Sequence, residues 1–189
     1  MEATNTTYSA EQLLSWYADA GLKTVRVSRA RKKNVDTAWQ EREIPLEDVV
    51  AWVSRGGNIG IQVGEVSNWA CGVDPDCPEA VRLAPKFLPD TLTSRKGSQP
   101  ASLYVYRSPG LGFAQFKDLD GETIMDLKAS NNGAGHQIVV EPSEHPDKGP
   151  YVWDGGFNPA AITEVPIAVV SAVGPPLLHL RSVRTRRVP

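Results

Sequence analysis

Two aspartates one residue apart, Asp74 and Asp76, close the apolar run that begins at Trp69. At positions i and i+2 of a strand both side chains point to one face, so the two carboxylates converge where the strand ends. Two anions held that close raise each other's pKa unless a cation neutralises them. Magnesium or manganese suits that place, because a hard divalent ion takes carboxylate oxygens and keeps positions open for phosphates and water. The spacing alone does not separate a metal site from the capped start of a helix before Cys77 and Pro78. A third carboxylate sharpens the reading. In Thr123 to Ala129, Ile124, Asp126 and Lys128 share one face while Met125 and Leu127 take the other, so an apolar side anchors a strand that presents an acid and a base together. Aspartate is disfavoured in mid-strand, which argues for a specific role. Asp118 and Asp120 repeat the spacing, but directly before Gly121 they belong to a hairpin turn. Between the two acidic strands, Arg95, Lys96, Gly97 and Ser98 read as a polar basic loop suited to phosphate oxygens.

The elements that must carry these groups follow from periodicity. Ser9 is an N-cap with Glu11 and Gln12 in the first turn, and Leu13, Leu14, Tyr17 and Ala18 recur at helical spacing up to Gly21. Thr24 to Ser28 alternates as a short strand running into a basic loop. A second helix starts at Pro45, has Glu47 and Asp48 in its first turn, and stops at Gly56 and Gly57. Ile59, Ile61 and Val63 then alternate as a strand, and Gly64 with Ser67 and Asn68 marks a turn. Trp69 to Asp76 is the next strand, and Pro78 to Leu88 a third helix before Pro89. Thr91 to Ser94, Ser102 to Arg107, Thr123 to Ala129 and Gln137 to Val140 are four more strands, with turns at Asp120-Gly121 and Asn132-Gly133. Helices lead and strands dominate afterwards, which predicts an α+β fold rather than a regular βαβ winding.

A chain of 189 residues makes one large domain or two small lobes. No apolar run reaches the roughly 20 residues of a membrane-spanning helix, and the polar, acidic start lacks a secretory profile, so the cytoplasm is the expected compartment. Cys71 and Cys77 have no CxxC partner or nearby histidine and read as reduced thiols, not as a zinc site or a disulfide framework. A formal net charge of −2 argues against a surface that is basic all over. Basic residues do crowd two stretches, Lys23 to Lys33 and Arg181 to Arg187, where a solvated face and a flexible end are the plain alternatives to a nucleic-acid contact.

Taken in order, NIGIQVG at Asn58 to Gly64, SNWACGVDPD at Ser67 to Asp76, TSRKGSQPASLYVYR at Thr93 to Arg107 and the stretch from Met125 to Trp153 resemble the primase-polymerase domain of phage and plasmid replication proteins, within the archaeo-eukaryotic primase superfamily. The resemblance runs from the first helix to about Phe157. It implies a two-lobed α+β catalytic core in which an RRM-like mixed or antiparallel sheet flanked by helices carries the acids. It implies a template-dependent nucleotidyltransferase, a DNA polymerase and primase, whose partners are a DNA template and primer, nucleoside triphosphates and a helicase domain in the same full-length protein, with no membrane partner. On this likeness residues 1–165 form the catalytic domain, and 166–189 a last packed segment with a basic linker. Asp74 and Asp76 match the first-motif acids and Asp126 the third-motif acid, together holding two divalent ions, Mg2+ or Mn2+. Arg95, Lys96, Ser102 and Lys128 would then surround the triphosphate.

One departure stands out. The second motif of the family places a histidine before the aromatic strand, and here that position is Leu103, which can neither donate a hydrogen bond to a phosphate nor move a proton. His136 is a substitute for it or a structural histidine, and His145 reads as structural or turn-forming. Leu103 leaves open a catalytically impaired nucleotide- or DNA-binding module, and the same three acids would also serve a metal nuclease.

Overall fold

In the computed structural model the described residues are 8–96, 103–130, 135–154, 158 and 161–172. The chain opens with helix α1 (Ala10–Asp19), started by a reciprocal cap in which Ser9 Oγ accepts from the Gln12 N–H at 3.1 Å and Gln12 Oε1 from the Ser9 N–H at 3.0 Å. Its apolar stripe buries Leu13, Leu14 and Tyr17 completely. Strand β1 (Thr24–Val27) leads through a loop to α2 (Leu46–Ser54), whose Val49 is fully buried. The turn after α2 requires glycine: a Cβ at Gly57 would lie 2.1 Å from the Trp52 ring, whose Nε1–H reaches over it to donate to the Asn58 carbonyl at 2.8 Å.

Strand β2 (Asn58–Gln62), a 3-10 turn at Glu65–Ser67, β3 (Ala70–Pro75) and α3 (Pro78–Phe87) follow. The remaining strands are β4 (Ser94–Lys96), β5 (Leu103–Arg107), β6 (Ala114–Lys117), β7 (Thr123–Lys128), β8 (Gln137–Val140), β9 (Glu144–His145), β10 (Gly149–Pro150) and β11 (Val152–Trp153), before helix α4 (Ile167–Ser171). They build a three-stranded sheet in the order β1-β2-β8, a six-stranded sheet in the order β11-β4-β5-β3-β7-β6 and the β9-β10 hairpin, with every ladder antiparallel. The expected α+β class and antiparallel sheet are therefore present.

Strand β3 sits inside the large sheet, and its alternation sorts the core. Cys71 and Val73 pack with Met125, Leu127 and the inner face of α3, whereas Ala70 joins Leu103, Val105 and residues of α1 and the small sheet. At Gly72 the two sheets meet: a Cβ there would be 3.0 Å from Leu103 Cδ1 and 3.1 Å from Ile138 Cγ2 of β8. One apolar cluster thus spans both sheets, and the division into two lobes is not drawn by the packing. At the other end of the chain Val165 and Val170 of the α4 region pack into the first cluster, so the terminal segment begins with structure held against the domain. Among the described residues no helix is long and apolar enough to cross a membrane.

Three local expectations change. The strand expected over Thr91 to Ser94 begins at Ser94, because the Thr93 hydroxyl donates to the Val105 carbonyl at 2.8 Å in place of the Thr93 N–H, which turns instead to the Thr91 hydroxyl at 3.1 Å. Arg95 and Lys96 accordingly lie in a strand and not in a loop. Strand β6 is an additional element, half-exposed and flanked by Gly110 and Gly112, where alternation is short. The Asp118–Gly121 turn forms as expected, with Asp118 Oδ1 accepting from the N–H groups of Asp120 and Glu122 at 3.0 and 2.9 Å.

A closed polar circuit ties α1 to the strand at the edge of the large sheet. Trp153 Nε1–H donates to the Tyr17 hydroxyl at 2.7 Å, the hydroxyl donates to the Glu141 carbonyl at 2.7 Å, and Glu141 Oε2 accepts from the Trp153 N–H at 3.0 Å. Burial drives the Tyr17 hydroxyl far above the ordinary tyrosine range, so it stays a neutral donor. Tyr17→Phe removes both hydroxyl hydrogen bonds of this circuit and lowers unfolding stability by about 1–3 kcal/mol, which urea titration followed by tryptophan fluorescence measures.

Candidate active site

The register of the large sheet lays the candidate groups in one row. Trp153 faces Arg95, Arg95 faces Leu103, Asp74 faces Asp126 and Asp126 faces Gln115. Since Val73 faces Tyr104, the next step along places Leu103 beside Asp74 on the same face. Two residues from Asp126, Lys128 projects to that face too and faces Gly72. Its Nζ lies 3.1 Å from Asp74 Oδ2 and 3.1 Å from Asp126 Oδ2, while Gln115 Nε2 donates to Asp126 Oδ1 at 3.0 Å. Burial pulls the Lys128 pKa down, but the two carboxylates outweigh it and raise it, so the ammonium stays charged.

Asp76, just past the end of β3, donates its N–H to the Ile124 carbonyl at 2.9 Å. Partial burial, and next the charges of Asp74 and Asp126, push its carboxyl up to about 6. The carboxylates the sequence separates by some fifty positions thus act on one another electrostatically. The helix-cap alternative for this stretch falls to Cys77, whose sulfur accepts from the Ala80 N–H at 3.5 Å.

Beyond the contact of Ile138 with Gly72 the two sheets leave a cavity of about 460 Å³, lined among others by Asp74, Asp76, Arg95, Lys128 and His136. Arg95 is a buried cation whose guanidinium stacks over the Tyr151 ring, 4.3 Å from its centroid. His136 lies flat on Phe113, centroids 4.1 Å apart and planes within 6°. Burial, and then Lys128, lower its pKa, which leaves the ring neutral near pH 7. Lys96 closes β4 opposite Val152, and Ser102 lies outside the described residues, as does the Asn132-Gly133 turn.

Leu103, at the position where the resemblance calls for histidine, is fully buried in the cluster shared by the two sheets. It is core, and the donors on its flank come from Arg95 and Lys128. Leu103→Ala opens a void under the site and lowers stability by about 2–5 kcal/mol, read from thermal denaturation.

Three cavity residues carried no usable spacing signal. Trp39 and Tyr151 come from loops, and Lys32 from the basic stretch at 23–33. That stretch is not one free basic face: Lys23 Nζ donates to the Gln40 carbonyl at 2.9 Å, Arg26 Nε donates to Asp36 at 3.0 Å, and Arg29 pairs with Glu144. Lys32 reaches His145 Nε2 at 2.6 Å, and His145, which closes β9, accepts the Asp147 N–H on its Nδ1 at 3.1 Å.

Among the described residues no group of three or more His, Cys, Asp or Glu side chains forms a ready metal-ligand set. The donors nevertheless suit a hard cation: two carboxylate oxygens from adjacent strands already converge on one positive charge, the Lys128 ammonium, with a third carboxyl alongside. No curated protein matches the chain. The family described as bifunctional DNA primase/polymerase, N-terminal, matches residues 14–168, and the chain belongs to that family, whose activity is nucleotidyl transfer in DNA priming and polymerisation.

Proposed function

We propose that this chain is the template-dependent nucleotidyltransferase of a phage or plasmid replicase, adding nucleotides from triphosphates to a primer 3′-hydroxyl. The observation that supports it most is the convergence of Asp74 and Asp126 on one cation position inside a cavity that also holds Arg95. Asp74, Asp76 and Asp126 would hold Mg2+ or Mn2+. A divalent metal held by these carboxylates would supply the Lewis acidity that eases deprotonation of a 3′-hydroxyl and the positive charge that offsets a leaving pyrophosphate. Arg95 contributes a buried, permanently charged fork pre-oriented on Tyr151, which suits a planar pair of phosphate oxygens. Lys128 adds a point charge, and neutral His136 offers a ring against Phe113 and a nitrogen to the cavity. The apolar cluster beneath the row, Leu103 included, keeps water from the underside of the acids. DNA is held through phosphate contacts, so binding weakens steeply with salt. A helicase domain in the same full-length protein and a place in the host cytoplasm rest on the family likeness.

The test is primer extension with manganese, run separately with ribonucleotides and deoxynucleotides. Elongation of a primed template supports the reading. No addition with either set favours the second reading, a nucleotide- or DNA-binding module, which the buried Leu103 supports. Primer shortening without triphosphates would instead mark a nuclease. Within the first reading, Arg95→Met keeps the stem packed on Tyr151 but removes a charge-assisted contact, and raises the apparent KM for nucleotide by roughly 10- to 100-fold in steady-state extension.

A further inference from the structure

One lysine sits between two aspartates at equal distance, 3.1 Å from each, on the floor of the cavity. Two features make this more than a structural ion pair. The ammonium neutralises one charge, and Asp76 lines the same cavity, so a third carboxyl stands beside the pair that the lysine joins. The lysine stem lies on the same strand as Asp126, two residues away, so its head can swing into the cavity with no backbone movement.

Resting on the nucleotidyltransferase reading above, we propose that Lys128 is a built-in counter-ion that holds the place of a divalent cation, so that a metal enters only by displacing the ammonium from Asp74 and Asp126. The displaced head is released into the cavity, where a triphosphate brings the negative charge that it has lost. Metal and nucleotide therefore bind cooperatively, each lowering the cost of the other's entry, and metal alone binds weakly. Between visits the lysine keeps the acids from repelling one another apart.

The test is Mn2+ binding to the chain without nucleotide, followed by electron paramagnetic resonance. Lys128→Met, which keeps the stem and removes the charge, binds Mn2+ at least about tenfold more tightly than wild type, because the ion meets no competitor and one more uncompensated negative charge. Lys128→Arg keeps the charge and gains nothing. Unchanged or weaker binding by Lys128→Met, or tighter binding by Lys128→Arg, overturns the proposal while leaving the polymerase reading intact. If neither wild type nor Lys128→Met binds Mn2+, the proposal and the metal-dependent reading fall together. A measurement on the wild-type chain stands should the methionine variant fail to fold: acetylation of Lys128 by an amine-reactive ester, read by mass spectrometry, rises severalfold on saturation with Mg2+. A rate that does not change with Mg2+ overturns the displacement.

Discussion

Asp126→Asn lowers primer extension on the order of a thousandfold while the chain stays folded and retains its affinity for DNA. The fold survives because asparagine is isosteric and its Oδ1 still accepts from Gln115, whose Nε2 lies 3.0 Å away. Lys128 is not stranded either, since Asp74 remains 3.1 Å from its Nζ. What disappears is one of the charged oxygens on which a hard cation depends, in the middle of the row that also carries Asp74 and Arg95. Removing a negative charge does not weaken contacts to DNA phosphates. Asp74→Asn has the same consequence for the mirror reason, with Lys128 left on Asp126 at 3.1 Å. The measurements are gel-resolved extension with Mn2+ and four deoxynucleotides, fluorescence anisotropy with labelled DNA, and circular dichroism melting. Extension within tenfold of wild type would remove the carboxylates from the chemistry.

The acids are legible in the sequence because Asp74 and Asp126 lie on strands and Asp76 directly follows one, where a period of two fixes which side chains share a face. Asp74 and Asp76 could be placed together, and Asp126 with Lys128, from local alternation alone. That the two strands are direct neighbours, with Asp74 opposite Asp126, is a matter of strand order that no local pattern encodes. Helices α1 to α3 were equally readable, since their caps and apolar stripes are local. Arg95 reads as a loop residue because its strand is short and preceded by a threonine whose hydroxyl stands in for a ladder bond. Trp39, Tyr151 and Lys32 reach the cavity from irregular segments, where side-chain direction depends on tertiary contacts such as the stacking of Arg95 on Tyr151. Leu103 could be named as a departure from the family pattern, but only burial between two sheets explains what a leucine does there.

Asp76→Asn moves stability and activity in opposite directions. Its carboxyl is half-buried near Asp74 and Asp126 and is pushed up to about 6 in the folded chain, against roughly 3.9 when unfolded. The folded state therefore binds the proton more tightly than the unfolded one. Stability from this group is greatest at acid pH and falls as pH rises between about 4 and about 6; above that range the penalty is complete. Asparagine has no charge to desolvate and no repulsion from its neighbours, so in the presence of a chelator the variant melts a few degrees above wild type at pH 7.5, roughly 2–4 °C for each kcal/mol relieved. At pH 4 the difference shrinks towards zero. Extension activity with Mn2+ meanwhile falls about a hundredfold or more, because a carboxyl held near the other two against its own repulsion is what a divalent ion would reward. Melting curves at the two pH values with chelator, set beside extension rates, separate the roles. A variant less stable than wild type at pH 7.5 would make Asp76 a structural anchor for the end of β3.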